Sequence, residues 1–566
     1  MSESAESGKR GSVLVQAGIL AAASMLVRVI GLLYRAPLTA IIGDEGNGYY
    51  GTAYNIYTII LMVSSYSIPS AISKLMAQKL AVSDETGAQR VFRCALGYGL
   101  LVGLLCSCLL YFGAGLLVPD VAVCVLQVFA PTVFLFGILG SLRGYFQARG
   151  SMVQTSISQI LEQIANAAVS MGAAWLLMHL ASSADSTRQA QLGAMGSAMG
   201  TGAGVLTALI FMAVCYGRDR KGAKRARLLT AENVGRPDDS VTGFAGAADG
   251  YGAIFKETIL VITPFMLSGV ILNITTSLNQ TIYMNILIGM RGVAETAATT
   301  IYGVFSNKAV VISNIPISIA TAVAAAIIPG ISAAFVKGDQ DDTRRRASDA
   351  IRATALIAIP SAVGLCVLAR PITMLLFPQM ETLPLASSLL SALSVTVIFY
   401  SISTITNAIL QSIGKMNLPL VSAGIAIVIQ TILLVALLLL TGVDVEALVI
   451  CSIIYSALIF IVNQLCLRRF LNFKQDVMTI YLRPLLCAAV MGAAAWLSYQ
   501  GIYLLTSPLG SAYFRNLIAT VPAVLIAVLV YAFALVRSGT VERDLLLHLP
   551  KGQMIVRVFE KLRWMR

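Results

Sequence analysis

Long apolar stretches follow one another along almost the whole chain, separated by short polar or Gly/Pro-containing breaks. A helix that crosses a bilayer needs about 20 predominantly apolar residues. The pattern predicts fourteen such spans, which are Val13–Ile42, Gly51–Ile72, Arg93–Val118, Val121–Ala148, Met152–Leu180, Leu192–Tyr216, Ile254–Leu287, Thr296–Phe335, Ile351–Phe377, Leu383–Ile413, Leu418–Leu440, Val445–Leu467, Met478–Leu505 and Ala512–Val536. We therefore predict an all-α polytopic membrane protein.

Composition and charge agree with this prediction. Apolar residues make up 57% of the 566 residues and charged residues 12%, whereas a soluble domain carries about 25% charged residues. Lys and Arg accumulate in cytoplasmic loops. With the N-terminus placed in the cytoplasm, the predicted outer loops hold only four of the 40 basic residues, which are Arg188, Arg291, Arg370 and Arg515. Both termini are therefore predicted to be cytoplasmic.

The net charge of +13 follows from this topology, and no soluble basic module with stacking aromatic residues indicates nucleic-acid binding. Residues 218–252 are predicted to form a flexible cytoplasmic linker, because this stretch begins basic and ends with small and acidic residues. Residues 538–566 are predicted to hold an amphipathic helix on the anionic inner leaflet, which makes membrane lipids one expected partner.

The residues of metal sites and catalytic centres are missing from the sequence pattern. The nine cysteines and two histidines have no CxxC or Cys/His ligand spacing, and no Walker motif GxxxxGK[ST] is present. We therefore expect no metal, no resident cofactor, no ATP hydrolysis and no enzymatic activity.

The two halves of the chain match each other in three places. The matched positions are Ile68-Pro69 with Ile315-Pro316, Arg93 and Pro119 with Arg352 and Pro378, and Gln147 and Gly150 with Gln411 and Gly414. Equivalent spans are separated by an even number of others, which predicts a parallel repeat. The expected domains are two pseudo-symmetric six-helix lobes at 1–217 and 253–470, the linker at 218–252, two extra helices in 471–537 and the segment 538–566. Unrelated spans that share helix-breaking prolines are the alternative.

Three cations lie well inside predicted spans: Arg28 and Arg35 in the first, and Lys308 in the eighth. A cation near the bilayer centre costs roughly 2.5–3.5 kcal/mol on insertion scales, so each one is a functional hypothesis. Glu162 is the only acid deep in a span, and one carboxylate can neutralise only one cation. The surplus positive charge predicts a site for an anionic ligand. Structural pairing with Glu162, with snorkelling of the remaining cations, is the alternative.

Several segments carry a family resemblance: VRVIGLLYRAPLTAIIGDEGNGYYGTAYNIY, SIPSAISKLMAQ, LRGYFQARGSMVQTSISQILEQ, IYGVFSNKAVVISNIP, AAAIIPGIS and SISTITNAILQSIGK. They resemble the stage V sporulation protein B branch of the polysaccharide-biosynthesis proteins. That branch belongs to the MOP (multidrug, oligosaccharidyl-lipid, polysaccharide) exporter superfamily and is related to MurJ-type lipid II flippases. The resemblance implies a MOP/MATE-like fold of fourteen helices in the bacterial plasma membrane, alternating access, and an undecaprenyl-diphosphate-linked saccharide as cargo.

The resemblance also implies roles for individual residues. Arg28, Arg35 and Lys308 occupy places comparable to the cations that hold diphosphate in MurJ-type flippases. The chain departs from the pattern of its own branch at Asn166, where an arginine is usual, and at Asn279, where an aspartate is usual. Glu162 and Asn279 complete the predicted substrate site. A second group is predicted to gate the site or assist it, and consists of Lys74, Arg143, Gln147, Asn166, Asn307 and Asn314.

The sequence therefore predicts a flippase that carries a lipid-linked saccharide from the inner to the outer leaflet, driven by Na+, H+ or the membrane potential. The machinery of cell-wall or polysaccharide synthesis is an expected partner. Three alternatives come from other classes. A multidrug/cation antiporter of the same fold would call for surplus acid, a membrane glycosyltransferase would need clustered carboxylates or histidines on outer loops, and a non-transporting scaffold of envelope or spore-wall assembly would tolerate neutral replacements of Arg28 and Arg35.

Overall fold

The computed structural model describes residues 23–539, with gaps at 24–25, 28–29, 32, 67, 82–83, 234–251, 253–254, 257–258, 261–273, 416, 472–475 and 508–509. Every regular element in these ranges is a helix. Arg28, residues 261–273 of the predicted seventh span and residues 540–566 of the predicted amphipathic segment at the C-terminus lie outside the described residues.

The helices of the first half are numbered here in chain order. They are α1 (Arg35–Leu61), α2 (Ile68–Ala81), α3 (Glu85–Phe112), α4 (Asp120–Ala148), α5 (Val153–Leu180), α6 (Ser186–Asn233) and α7 (274–284). A π-helical turn, Met62–Tyr66, lies between α1 and α2.

The boundary between the first two predicted spans lies inside α1. Gly43 has φ 71° and ψ 179°, which interrupts the helical backbone directly after the predicted end of the first span at Ile42. A positive φ of this size is open to glycine because it has no Cβ. Helix follows this break, so the predicted start of the second span at Gly51 is too late.

The helix α6 is longer than the sequence pattern predicts. The sixth span was expected to end at Tyr216 and to be followed by a flexible linker from residue 218, but the helix continues to Asn233. This extension has the sequence RDRKGAKRARLLTAEN, in which Ala, Leu, Lys and Arg are strong helix formers. The expectation of a flexible start to the linker is therefore wrong, and basic composition alone was a poor guide to it.

The helices of the second half follow in the same numbering. They are α8 (Glu295–Gly303 and Val310–Val336, joined by the π-helical turn Val304–Ala309), α9 (Gln340–Val367), α10 (Leu383–Ser412), α11 (Asn417–Leu440), α12 (Val445–Leu471), α13 (Arg483–Leu505, preceded by the π-helical turn Met478–Leu482) and α14 (Ala512–Arg537). A short helix, Ala369–Leu376, follows α9.

Eleven of the described helices are long and apolar enough to cross a membrane. They correspond to the predicted spans three to six and eight to fourteen, with α3–α6 in the first half and α8–α14 in the second. The multi-pass, all-helical class is therefore confirmed. The full number of fourteen spans stays a prediction, because much of the first and seventh spans lies outside the described residues.

The described helices fall into two compact units. One contains the residues up to Thr281 with Gly292–Thr300, and the other contains Ile282–Arg291 with the residues from Ile301 onwards. In the first unit α2 packs on α4, α3 on α4, α4 on α6 and α5 on α6; in the second, α8 packs on α10, α9 on α10, α10 on α12 and α11 on α12. The predicted repeat would produce such a pattern. The helices α13 and α14 pack on each other, and α13 also packs on α9.

Candidate functional site

A ridge of glycines on α6 sets the position of α5 in the first unit. A Cβ atom on Gly196 would lie 2.5 Å from the backbone nitrogen of Ala174, and one on Gly204 would lie 2.5 Å from the carbonyl oxygen of Glu162. Small residues at four-residue spacing let two membrane helices approach this closely. The close contact brings the polar residues of α5 to a defined depth and orientation.

Glu162 on α5 pairs with Arg143 on α4. An Nη2–Oε2 distance of 2.6 Å joins the two side chains, which are 7% (Arg143) and 25% (Glu162) exposed. The Nε of Arg143 also donates to the hydroxyl of Ser158 at 3.0 Å. Arg143 is thus held by a carboxylate and a hydroxyl from two turns of α5, and its predicted role in a gate stays a prediction.

Arg35 lies at the start of α1 among hydroxyl groups. Its guanidinium lies within electrostatic range of the hydroxyls of Tyr34, Tyr50 and Tyr54, and the residue is partly buried. The amide of Asn166 donates to the hydroxyl of Tyr34 at 3.5 Å. The groups around Arg35 are therefore neutral, and they can orient the cation without cancelling its charge.

Asn166 itself is positioned from the opposite side. The hydroxyl of Ser170 donates to Oδ1 of Asn166 at 2.9 Å and is also within 2.9 Å of the carbonyl oxygen of Ser197 on α6. The family resemblance leads us to expect an arginine at position 166, and a second cation there would face the Tyr34 hydroxyl next to Arg35. Asn166 keeps a hydrogen bond to the Tyr34 hydroxyl without adding a second positive charge next to Arg35.

Four aromatic rings form a continuous wall next to Arg35. Tyr50 stacks on Tyr54 with 5.6 Å between ring centroids, and Tyr57 stacks on Phe129 of α4 at 4.6 Å. Tyr54 and Tyr57 also lie within electrostatic range of Glu162. We call these four residues the aromatic wall. It connects the surroundings of Arg35 with the Arg143–Glu162 pair.

The charge balance of this region is positive. Glu162 is engaged by Arg143, and among the residues that the structure describes no carboxylate lies within ion-pair distance of Arg35. The alternative that Glu162 neutralises a first-span arginine is therefore not what the structure shows for Arg35. One full positive charge remains in a partly buried, hydroxyl-rich environment, and an anion is the ligand that it favours.

Lys308 belongs to the second unit, and its surroundings differ from those of Arg35. The side chain is 1% exposed and sits in the π-helical turn of α8. Its ammonium donates to Oε1 of Gln379 at 3.1 Å and to the hydroxyl of Thr382 at 2.9 Å, and lies 5.8 Å from the centroid of the Phe377 ring. The structure thus buries Lys308 against the loop before α10, and its predicted role in the substrate site stays a prediction.

Asn279 lies on α7 and is 9% exposed. Its neighbours fasten α7 to α1: Nδ2 of Asn55 donates to Gln280 at 2.7 Å, and the amide of Gln280 donates to the carbonyl oxygen of Thr52 at 2.9 Å. The hydroxyl of Ser277 donates to the carbonyl oxygen of Asn55 at 3.2 Å. Asn279 therefore lies on the part of α7 that belongs to the first unit, next to residues whose amide contacts anchor this helix to α1.

No described hydrogen bond or ion pair joins the remaining residues of the predicted gate to Arg35, Arg143 or Glu162. Lys74 and Asn314 are exposed, and Gln147 and Asn307 are partly buried. Asn307 and Asn314 belong to the second unit. Their predicted roles stay predictions. The described polar contacts of the first unit involve Arg143, Glu162 and Asn166, and the electrostatic surroundings of Arg35 lie in the same unit.

Sequence reasoning missed the hydroxyl and aromatic partners of the site. Tyr50, Tyr54 and Tyr57 are spaced by four and three residues, so they lie on one face of α1. This spacing was visible in the segment GNGYYGTAYNIY. Ser158 and Ser170 gave no such signal, because single serines are common in membrane helices and their partners lie on other helices.

Comparisons with known proteins identify relatives of the whole fold. The family model described as polysaccharide biosynthesis protein matches residues 13–335, and the model described as MatE matches residues 270–436. The lipid II flippase MurJ of Bacillus subtilis (strain 168) is 24% identical over 449 residues, which cover 75% of this chain and 77% of the relative. The stage V sporulation protein B of the same organism is 23% identical over 418 residues, covering 73% of this chain and 75% of the relative.

A solved structure shows the same fold. The lipid II flippase MurJ in an inward closed conformation superposes with a TM-score of 0.64 at 14% identity, covering 91% of this chain and 97% of the solved chain. At this identity the likeness concerns the arrangement of helices alone. The arrangement of side chains around Arg35 has to be interpreted from this chain itself.

Proposed function

Because the chain belongs to the polysaccharide biosynthesis protein family, whose model covers more than half of it, we propose that it is a flippase for a polyprenyl-diphosphate-linked saccharide. The proposed direction is from the inner to the outer leaflet of the plasma membrane, by the alternating-access cycle that the family resemblance implies. A lipid II-like carrier or a polysaccharide repeat unit is the proposed cargo, and the enzymes that supply and consume it are the proposed partners.

One observation carries the proposal: the guanidinium of Arg35 is surrounded by tyrosine hydroxyls and lacks a carboxylate partner among the described residues. A diphosphate offers several acceptor oxygens, and guanidinium groups bind such oxygens in a bidentate fashion. Arg28 lies seven residues earlier in the predicted first span, and we propose that it contributes a second cation.

The neighbours of Arg35 suit a ligand with both a charged and a polar part. Tyrosine hydroxyls can donate to phosphate or sugar oxygens, and the aromatic wall offers ring faces to the apolar faces of sugar rings. Asn166 can accept and donate in the same region. A cationic drug, the cargo of an antiporter, would meet an uncancelled positive charge here instead of an acid.

The membrane potential is a sufficient energy source for the proposed direction. Moving one elementary charge across the membrane is worth about 2.3 kcal/mol per 100 mV, so two negative charges leaving a negative cytoplasm gain about 4.6 kcal/mol per 100 mV. Under this proposal an ion gradient is not required, although it can add to the driving force.

Reconstitution in vesicles tests the proposal. The substrate is a fluorescent polyprenyl-diphosphate saccharide, and the rate at which it crosses the bilayer is measured for the wild type, Arg28→Gln and Arg35→Gln. A hydrogen bond to a charged group contributes about 1.5–3 kcal/mol, so Arg35→Gln should reduce transport at limiting substrate by roughly 10-fold or more.

Arg149→Gln is the matched control. Arg149 is a basic residue of the same unit, but it pairs with Glu85 at 3.0 Å, and the side chains are 28% (Arg149) and 42% (Glu85) exposed. This variant should transport at close to the wild-type rate. Equal rates for the wild type, the control and the first-span variants, with and without an imposed potential, would rule out the proposed role of these arginines.

A further inference from the structure

A groove in the second unit is unused by the proposed function. It has a volume of about 490 Å³ and is lined by residues of α9, α10, α12 and α13 together with the turn before α13. Volumes of this size are typical of ligand sites. Its walls are almost entirely apolar, and three of its rings are packed in a row: Phe399 lies 5.5 Å from Phe460, and Phe460 lies 6.2 Å from Tyr481.

The mouth of the groove faces the hydrocarbon side of the spanning helices. Large apolar side chains on its rim are exposed, including Ile461 (50%), Leu465 (57%) and Leu485 (43%). Because these side chains belong to helices that are apolar enough to span a membrane, the surrounding medium is lipid. The occupant that fits such a groove is a hydrocarbon chain rather than a soluble ligand.

One end of the groove carries positive charge. Arg468 lines it, is exposed, and has no hydrogen-bond or ion-pair partner among the described residues. Two further cations do not line the groove but lie near the same end of α12, where Lys415 is 4.9 Å and Arg469 is 5.9 Å from the centroid of the Phe470 ring.

The acid at this end is already engaged. The carboxylate of Asp476 accepts hydrogen bonds from the backbone N–H groups of Met478 and Thr479, at 3.1 and 3.3 Å, and from the Thr479 hydroxyl. The carboxylate keeps its charge, but Arg468, Lys415 and Arg469 outnumber it, so this end is complementary to an anion that comes from outside the chain. By the predicted topology this end lies at the cytoplasmic leaflet, where anionic lipids attract basic residues.

We infer that this groove is a binding site for an anionic phospholipid of the cytoplasmic leaflet. One acyl chain lies along Phe399, Phe460 and Tyr481, and the headgroup phosphate is bound by Arg468. Basic pockets between membrane helices on the cytoplasmic side are known to hold such headgroups. The site is made wholly by the second unit, so it is independent of Arg35 and of the proposed cargo.

Native mass spectrometry of the full chain in detergent tests the inference. Phosphatidylglycerol is titrated against phosphatidylcholine for the wild type, Arg468→Gln, and the control Arg537→Gln, whose exposed arginine ends α14 and does not line the groove. The wild type should retain phosphatidylglycerol in preference to phosphatidylcholine. Arg468→Gln should weaken phosphatidylglycerol binding by about 10-fold, and Arg537→Gln should leave it unchanged.

A second variant tests the apolar part of the site. Ile398→Trp places a larger side chain in the groove and should abolish retention of the lipid while Arg468 is intact. Equal retention of the two lipids, or equal losses in both arginine variants, would overturn the inference. Two other outcomes would also overturn it. If undecaprenyl phosphate displaces phosphatidylglycerol at a lower concentration, the groove is a site for the lipid carrier. If the chain forms a dimer that Arg468→Gln dissociates, the groove is an interface between two copies.

Discussion

The Arg143–Glu162 pair gives the sharpest test of how charge is distributed in the first unit. The two side chains are joined at 2.6 Å and are 7% and 25% exposed. Breaking a buried ion pair by removing one partner costs about 3–5 kcal/mol, because it leaves an uncompensated charge. The partial exposure of Glu162 lets water reach its carboxylate, so we expect values near the lower end of this range.

The two single replacements should be unequal. Glu162→Gln leaves the more deeply buried charge, that of Arg143, without a carboxylate, while the Ser158 hydroxyl still accepts from its Nε, and should destabilise by about 3 kcal/mol. Arg143→Gln leaves the better hydrated Glu162 and should cost about 1–3 kcal/mol. The double variant should cost less than the sum of the single variants, with a coupling energy of 1 kcal/mol or more, within the range of about 0.5–3 kcal/mol for residues in contact.

The assay is a double-mutant cycle on the free energy of unfolding in lipid–detergent micelles. A second cycle on Arg35 and Glu162 should give a coupling within about 0.5 kcal/mol of zero, as for independent sites. The exposed pair Arg346–Asp342, at 50% and 38% exposure, is the control and should couple by only about 0.3–0.5 kcal/mol. A coupling of Arg35 with Glu162 as large as that of Arg143 with Glu162 would refute the assignment of the carboxylate to Arg143.

Two further predictions concern stability outside the site. Asp84 caps α3 by accepting from the N–H of Gly87 and from the Thr86 hydroxyl, and these bonds lower the pKa of its carboxyl group; Asp84→Ala should cost about 0.5–2 kcal/mol at pH 7. A lowered pKa stabilises the fold only while the group is ionised. The difference in unfolding free energy between the wild type and Asp84→Ala should therefore shrink as the pH falls below about 4, and the part that comes from the ionised carboxylate should vanish below the lowered pKa. Unfolding measured at a series of pH values checks this. Gly196→Ala places a Cβ 2.5 Å from the α5 backbone and should lower the free energy of unfolding by about 1–3 kcal/mol, measured by thermal unfolding. Gly217→Ala is the control, since a Cβ there has nothing within 4 Å, and it should not destabilise the protein. Equal effects of the two variants would contradict the close approach of α5 and α6.

The sequence was a good guide to the family and to the helices. The segments that resemble the polysaccharide-biosynthesis branch of the MOP superfamily agree with a family match over residues 13–335 and with the named relatives, so that prediction is confirmed. Eleven predicted spans are present as helices because about 20 consecutive apolar residues leave little alternative in a membrane protein. The ends of helices were harder to predict. The end of α6, for example, depends on the helix propensity of polar residues, which a hydropathy pattern does not measure.

The contacts of the charged residues could not be predicted in the same way. Glu162 could face Arg143 or a first-span arginine, and the choice depends on how α5 is rotated against α4 and α6. That rotation follows from backbone contact at Gly196 and Gly204, which no periodicity of charge reveals. Lys308 lies in a π-helical turn, where the regular spacing of an α-helix no longer tells which neighbours a side chain meets.

Equilibrium binding tests the uncancelled charge of Arg35 most directly. The purified chain is titrated with a short-chain prenyl-diphosphate saccharide and with the same saccharide on an uncharged lipid of equal length. We predict that the wild type binds the diphosphate at least about 10-fold more tightly and that Arg35→Gln loses most of this preference. The same preference in the wild type and in Arg35→Gln, with both proteins folded, would contradict the central claim.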